Sequence, residues 1–309
     1  MVGLEAIRVL ITAVAALTVG AGGWQSHATM PLPRSEVAAT VLRGEIVVAG
    51  GYLAEGQTSG AVSAYSPGTD TWRTLPDLPV AVNHSMAAAY QGRLYLVGGY
   101  AADGRPQRSA FVLEGGDWRR LARMPEGRAA AGAAVVAGRL YVAGGVAPAA
   151  GGGRRLASRM QILDLRSGRW TTTRGPTPRE HLAVTALRGR VYVLAGRLGG
   201  LDTNLDLLEV YTPGKGWRRL PRIPSTRGGT AAAALAGRIV SVGGEQPTGT
   251  IASVYAYDVA RARWSRLPDL PSPRHGLGVV ALGGRVYAVA GGPEPGLTAS
   301  GVTESLAVP

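Results

Sequence analysis

Residues 83–118, NHSMAAAYQGRLYLVGGYAADGRPQRSAFVLEGGDW, hold one complete copy of the pattern that decides the fold. The run from Ser85 to Tyr90 predicts a first strand, and Gln91-Gly92 is a two-residue turn of the x-Gly kind that favours a tight hairpin. A second strand, Arg93 to Val97, ends in a glycine doublet. Ser109 to Leu113 predicts a third strand, and Trp118 opens a fourth. The segment therefore predicts one small antiparallel sheet.

The pattern occurs six times along the 309 residues. Consecutive doublets, two of them Ala-Gly, lie 48, 46, 51, 48 and 47 residues apart: Gly50-Gly51, Gly98-Gly99, Gly144-Gly145, Ala195-Gly196, Gly243-Gly244 and Ala290-Gly291. The two-residue turn returns as Arg43-Gly44, Ala137-Gly138, Arg188-Gly189, Ala236-Gly237 and Gly283-Gly284. A period near 50 residues is typical of a four-stranded propeller blade, which spans about 50 residues in the kelch type. The repeat predicts an all-β fold, a six-bladed β-propeller of four-stranded antiparallel blades, forming a single domain over residues 22–309.

Each of the first five copies leads to a tryptophan, a sixth tryptophan precedes the first copy, and the glycines have a physical reason. Packed blades bring backbone against backbone, where a residue without Cβ fits and can adopt φ > 0. The tryptophans are predicted to fill space between neighbouring blades, because an indole buries a large apolar body and still offers an N–H donor. They are Trp24, Trp72, Trp118, Trp170, Trp217 and Trp264.

The sixth copy has no tryptophan of its own and lacks a fourth strand. Its predicted strands are Leu277–Leu282, Arg285–Val289 and Val302–Val308. Trp24, which precedes the first copy, is spaced from the following repeat like the other tryptophans. We therefore predict that the strand at Trp24 closes the ring by joining the C-terminal blade, which removes the exposed edges of an open sheet.

These marks resemble the kelch family of β-propellers. They include the doublets, a tyrosine in four second strands, Tyr257-Asp258 before Trp264, and Leu-Pro segments after the tryptophans, and they cover essentially Trp24 to the C-terminus. Two copies depart from the pattern, with Leu113-Glu114 and Leu163-Asp164 in place of Tyr-Asp. The resemblance implies an interaction module, since kelch domains commonly act as such, while a fold by itself names no activity. Copper chemistry of the galactose-oxidase kind, which needs a cysteine crosslinked to tyrosine, is excluded because the chain has no cysteine.

The amino-acid composition excludes some classes of partner but does not identify a particular one. The formal net charge is +13, almost all from arginine, and the arginines are spread over all repeats. An acidic protein or a small acidic or carbohydrate ligand suits this charge, whereas the absence of one basic tract argues against nucleic acid. A monomer is expected. The missing cysteines exclude disulfides, thiolate metal sites and a lipoprotein anchor.

The N-terminal residues 1–21 resemble an export signal. Arg8 precedes an apolar run from Val9 to Val19, and Val19 and Ala21 are placed like the −3 and −1 residues of a cleavage site. The run is shorter than the roughly 20 apolar residues of a membrane span. We predict a secreted or periplasmic protein; the alternative is an uncleaved anchor, the only membrane association considered.

Comparison among the copies separates shared from variable positions. Arginine lies sixteen residues before the first doublet position in five copies, with Val82 in the remaining one, and is predicted to be a packing or hydrogen-bonding element between blades. The next two positions vary, as do those after the doublets. Because the start of strand one and the end of strand two lie on one face of a blade, these residues should ring one mouth of the channel. The predicted ligand-binding residues are Ser35, Glu36, Tyr52, Asn83, His84, Tyr100, Glu180, His181, Arg197, Glu245 and His275, with Val146 and Glu294 at the same register.

The mouth raises two chemical possibilities. Three histidines of alternate copies suggest a metal, but opposite channel walls should hold the imidazoles too far apart for Zn–N bonds of about 2 Å, so we predict no metal and no cofactor. Glu36, Glu180, Glu245 and Arg197 offer acid, base and carboxylate-binding groups for catalysis. The sequence thus favours an exported propeller that binds a ligand or protein at the channel mouth. The alternative is a carbohydrate-active isomerase resembling N-acetylneuraminate mutarotase.

Overall fold

A computed structural model describes residues 23–308, so the predicted signal segment lies outside the described residues. Six four-stranded antiparallel sheets form the blades. In each blade the first strand lies innermost, at the channel, and the fourth lies outermost. Their first strands contact one another around a closed ring. The fold confirms the prediction of a six-bladed all-β propeller.

The blades follow the chain. Blade one has strands Ala38–Leu42, Glu45–Ala49, Val62–Ser66 and Thr71–Leu75; blade two has Met86–Tyr90, Arg93–Val97, Ala110–Glu114 and Asp117–Arg120; blade three has Gly132–Val136, Arg139–Ala143, Arg159–Asp164 and Trp170–Arg174. Blade four has Ala183–Leu187, Arg190–Leu194, Leu208–Thr212 and Gly216–Leu220; blade five has Ala231–Leu235, Arg238–Val242, Val254–Asp258 and Arg263–Leu267; blade six has Gly278–Leu282, Arg285–Gly291, Ser300–Ala307 and Trp24–Ser26.

Smaller elements lie in the loops between second and third strands. Two hairpins pair Val146–Pro148 with Arg154–Leu156 and Glu245–Gln246 with Gly249–Thr250. The only helix within residues 23–308 is the single 3-10 turn Leu201–Thr203. No helix in this part of the chain has the length and apolarity that a membrane crossing requires.

The two-residue turns adopt the backbone that the sequence predicts. In blade one, Arg43 and Gly44 have φ of 51° and 84°, and the equivalent pairs of the other five blades also have positive φ at both positions. Positive φ at both central residues defines the turn whose twist matches antiparallel strands. This turn fixes the pairing register of the first two strands in every blade.

The ring closes through the N-terminal strand, as predicted. Trp24, Gln25 and Ser26 pair antiparallel with Leu306, Ser305 and Glu304. The C-terminal strand begins two residues earlier than the sequence indicated, at Ser300. Blade six is therefore built from both ends of the described chain.

The six tryptophans join neighbouring blades. Each indole N–H donates to a backbone carbonyl at or just after the end of the outer strand of the preceding blade, at 2.8–2.9 Å: Trp24 to Pro268, Trp72 to Ala28, Trp118 to Pro76, Trp170 to Ala122, Trp217 to Arg174 and Trp264 to Pro221. Trp24 takes part like the others, which confirms that its strand belongs to the repeat. Their predicted structural role is confirmed.

The doublets lie against the next blade. A Cβ at Gly50 would lie 2.3 Å from the carbonyl oxygen of Val82, so glycine is required by close approach as well as by its φ of +64°. The amide of the second doublet residue donates to a carbonyl of the following blade at 2.8–3.0 Å: Gly51 to Val82, Gly99 to Arg128, Gly145 to Arg179, Gly196 to Arg227, Gly244 to Arg274 and Gly291 to Arg34. Six equivalent bonds thus link the blades around the ring.

The shared arginines act mainly within their own blades, which corrects the prediction of an element between blades. All five are at most 1% exposed. Each guanidinium donates to the carbonyl of the first doublet residue: Arg34 to Gly50, Arg128 to Gly144, Arg179 to Ala195, Arg227 to Gly243 and Arg274 to Ala290. Their bonds to the preceding blade are made by backbone: each carbonyl accepts from the second doublet residue, and the amides of Arg34, Arg128 and Arg227 donate to Ser300, Gln107 and Leu205. The side chain ties the start of a blade to its second and third strands.

Candidate functional site

The predicted mouth residues come together in pairs. One residue before each first strand forms an antiparallel bridge with the residue after the doublet: Ser35–Tyr52, Asn83–Tyr100, Ala129–Val146, Glu180–Arg197, Gly228–Glu245 and His275–Gly292. The shared face expected from the blade topology is thereby confirmed. In the sixth blade the position belongs to Gly292 rather than Glu294, because Gly292 directly follows the doublet.

A circle of backbone hydrogen bonds surrounds the channel at this level. One residue per blade has φ between 49° and 63°: Glu36, His84, Ala130, His181, Gly229 and Gly276. Their amides donate to the equivalent carbonyl of the preceding blade at 2.9–3.1 Å, and between blades six and one Val37 is the donor at 3.2 Å. Four of these positions hold a side chain in a conformation that costs on the order of 1 kcal/mol for a residue other than glycine. The circle points these side chains into the channel mouth.

Seven side chains then form a second, closed ring, which we call the mouth ring. It runs through His84, His181, Glu180, Arg197, Glu245, His275 and Glu36 and returns to His84. The contacting side-chain atoms of consecutive members are 2.9, 3.3, 3.4, 2.7, 3.7, 3.0 and 3.1 Å apart in that order. All seven were predicted from the sequence, and five of the six blades contribute.

The prediction that the imidazoles lie too far apart is wrong. Nε2 of His84 and Nε2 of His181 are 2.9 Å apart although they belong to blades two and four. Blade three presents Ala129, Ala130 and Val146 at this level, so it places no polar or aromatic side chain between the two histidines. The left-handed backbone at His84 and His181 turns both side chains inward, so that their imidazoles meet although the two blades are not neighbours.

The mouth ring is packed rather than open to water. Its side chains are between 2% and 12% exposed. Beneath it lies a channel cavity of about 140 Å³, lined by the inner strands and by Glu36, His84 and His181. Buried charges are retained only when paired. The ring meets this condition because each of its three carboxylates contacts a basic side chain on both sides.

Burial and pairing set the protonation of the ring. Burial lowers the pKa of His84 to about 4, although the charge of Glu36 opposes this. Burial also lowers the pKa of His275, but its hydrogen bond to Glu36 and the charges of Glu36 and Glu245 outweigh burial and raise that pKa. For Glu36, burial would raise the pKa, while His84 and the hydrogen bond from His275 hold it well below its usual value. The histidines thus differ: His275 favours the charged form and His84 the neutral one.

The other predicted residues surround the ring. The Tyr52 and Tyr100 rings meet the His84 imidazole edge to face, with centroids 5.8 and 5.4 Å away. Asn83 Oδ1 accepts a hydrogen bond from His84 Nδ1 at 2.7 Å. Ser35 is fully buried, and its hydroxyl has no hydrogen-bond partner among the described residues. These residues support the ring more than they face solvent.

Two contributors escaped the sequence interpretation. The Arg154 guanidinium lies over the Tyr100 ring, 4.2 Å from its centroid, and donates to the carbonyl of Gly104. Asn204 donates to the carbonyl of Glu245 at 2.7 Å. Arg154 could have been anticipated, since it lies in the basic insertion of the third copy; nothing in the repeat distinguishes Asn204.

The geometry does not support the isomerase alternative. Arg197 was the residue predicted to bind a carboxylate, yet it already contacts Glu245 Oε1 at 2.7 Å and Glu180 Oε1 at 3.4 Å. Its charge is therefore neutralised by the ring.

The fold and its repeated interblade bonds define a six-bladed propeller of the kelch kind. Residues 23–196 and 83–292 match the KLHDC2/KLHL20/DRC7 Kelch-repeats domain. The chain belongs to this kelch-repeat family. No match was found among the curated proteins. Kelch propellers generally mediate protein interactions.

Proposed function

We propose that this propeller is a binding module that receives an acidic, partly apolar segment of a partner protein on its mouth face. The observation that carries the proposal is the placement of exposed aliphatic side chains. Among the described residues the exposed large hydrophobic ones are Leu32, Leu198 and Leu297, at 40%, 50% and 59%. All three lie in connections on the mouth face: Leu32 before the first blade, and the other two after the doublets of blades four and six. Exposed apolar surface rimmed by polar residues marks interaction sites.

The charge of this face supports an acidic partner. The loops of blades two and three carry Arg105, Arg154 and Arg155, all exposed. These arginines place part of the protein's net charge of +13 on the mouth face. Complementary charge speeds encounter and selects partners more than it adds affinity. We infer that the arginines orient the segment and that the leucines anchor it.

A displayed peptide library tests the proposal. Peptides selected on the protein should be rich in acidic residues and should lose at least about tenfold in affinity for the Leu198→Asp/Leu297→Asp variant, since anchors are commonly worth more than 1 kcal/mol. The control is Arg188→Asp, an exposed change on the opposite face, which should leave affinity unchanged. Peptides that bind all three proteins equally would place the binding surface elsewhere.

We also propose that the protein is exported, with cleavage after Ala21. The support is the apolar run and the small residues at the −3 and −1 positions. Production from the full reading frame should give a secreted or periplasmic protein whose intact mass corresponds to a chain beginning at Gly22. A full-length mass in the membrane fraction would instead indicate an anchor, and a full-length mass in the cytoplasm would refute export.

A further inference from the structure

The two facing histidines of the mouth ring have outward partners that a metal site requires. Metal-binding imidazoles use one nitrogen for the cation and donate the other N–H to a carbonyl or carboxylate. His84 Nδ1 lies 2.7 Å from Asn83 Oδ1. His181 Nδ1 lies 3.3 Å from Glu180 Oε1, within ion-pair distance but not aligned as a hydrogen bond. Both Nε2 atoms therefore face the same point at the centre of the mouth.

The orientation of the Asn83 amide assigns a tautomer to His84. Its amide nitrogen lies 2.8 Å from Thr58 Oγ1, which leaves Oδ1 toward His84. An amide oxygen only accepts, so His84 carries its proton on Nδ1 and, as the neutral ring, presents a lone pair at Nε2. Nε2 of His181 and Oε2 of Glu36 approach that lone pair to 2.9 and 3.1 Å.

Neutral imidazoles cannot satisfy this arrangement. If His181 donates from Nε2 to His84, its Nδ1 lone pair faces the Glu180 carboxylate, and this contact is not aligned as a hydrogen bond. If it donates from Nδ1 to Glu180, two Nε2 lone pairs face each other. In both tautomers the Glu36 oxygen faces the unprotonated nitrogen of His84. Unpaired buried acceptors are costly, and a shared cation at their centre would satisfy all three.

We propose that His84, His181 and Glu36 bind one divalent first-row transition-metal cation at the channel mouth. Two ligands about 2.1 Å from a cation lie about 3.0 Å apart when the angle at the cation is 90°. The separations of 2.9 and 3.1 Å match that spacing, and all three ligand atoms lie within 4.8 Å of one another. Two histidines and a carboxylate on one side leave further coordination positions open, as in facial-triad sites.

A second group of possible metal ligands lies next to this site, but its hydrogen bonds make it less suitable for a cation. Glu36, Glu245 and His275 also converge. There, however, His275 faces Glu36 Oε1 at 3.0 Å with Nδ1 and the carbonyl of Glu294 at 3.0 Å with Nε2, so both nitrogens donate and neither is available to a metal. The mouth ring contains three carboxylates but only two cationic side chains, Arg197 and His275. Its net charge is therefore negative, which favours binding of a metal cation.

Cobalt titration of the chelator-treated, full-length protein, without a histidine tag, tests the site. We expect one equivalent of Co²⁺ to give visible d–d absorption, and Zn²⁺ to displace it. His181→Gln should weaken Co²⁺ binding by more than about 100-fold. The matched change His27→Gln, at a histidine that bonds Ser305 outside the mouth ring, should leave Co²⁺ binding unchanged. Circular dichroism and thermal melts of the metal-free proteins establish that both variants fold.

The outcomes separate clearly. If folded wild-type protein takes up no stoichiometric Co²⁺ or Zn²⁺, or if both variants bind equally, the site is refuted. A variant that fails to fold is replaced by His84→Gln, which keeps a polar group at the other ligand position. Peptide binding is measured on the metal-free protein, so its loss would refute the proposed partner surface without bearing on the metal.

Discussion

A chain that begins at Pro31 should unfold about 10 °C below one that begins at Gly23. The missing segment contains the strand Trp24–Ser26, which completes blade six. It also contains Met30, which is 1% exposed and packs with Tyr287 and Val289 in the core between blades six and one. Truncation would therefore remove a strand and expose an apolar junction at the same time.

The magnitude follows from what is lost. A fully buried methionine is worth about 2–5 kcal/mol, and Trp24 adds the packing of its indole. A total near 5 kcal/mol corresponds to roughly 10 °C at about 2 °C per kcal/mol in a large domain. Calorimetry on both chains gives the comparison.

Trp24→Phe provides the matched control. It keeps an aromatic ring against blade five and removes only the indole N–H bond to the carbonyl of Pro268. One hydrogen bond contributes about 1 kcal/mol, so the melting temperature should fall by about 2 °C. Equal melting temperatures for the chains beginning at Gly23 and Pro31 would contradict closure by this strand.

Arg274→Met should lower the free energy of unfolding by about 4 kcal/mol, since breaking a buried ion pair typically costs about 3–5 kcal/mol. The Arg274 guanidinium bonds Glu304 Oε2 at 2.6 Å and the carbonyls of Ala288 and Ala290 at 2.8 Å. Glu304 is 2% exposed, so its charge would be left buried without its partner. Urea unfolding with the slope compared between variants provides the measurement.

The repeat supplies the control for this prediction. Arg34 occupies the same place in blade one, but there the third strand offers the hydroxyl of Ser63 rather than a carboxylate. Arg34→Met should cost about 2 kcal/mol, because it leaves polar acceptors unpaired but no isolated charge. Adding Glu304→Gln to Arg274→Met should recover part of the loss. If the two arginine variants are equally destabilised, the carboxylate is not the reason for the cost.

The sequence could predict the fold because the blades repeat one set of local constraints. Turn residues such as Gly44, close approaches such as Gly50 and interblade donors such as Trp72 each recur at one spacing, so a single copy explains all. Ring closure also followed, since Trp24 fits the missing position. These features depend on neighbours in sequence or on the adjacent blade.

The site was predictable in membership and not in contacts. His84 and His181 were assigned to the mouth, but their 2.9 Å contact depends on two left-handed backbones and on the small Ala130 between them. Such distances across the channel depend on three blades together, which no single repeat encodes. The role of Arg154 likewise depends on how its inserted hairpin folds over Tyr100.

The pairing of Trp24 with Leu306 means that the ring can close only after the C-terminal strand has been made. These partners are 282 positions apart (306 − 24), so the earliest residues of the propeller must wait for almost the last ones. Until the final strand leaves the ribosome, blade six has no third strand for Trp24–Ser26 to join. Contacts so distant in sequence form slowly, and an unpaired edge invites aggregation meanwhile. The yield of closed propeller therefore depends on how well the unpaired strand is protected from aggregation until its partner is available.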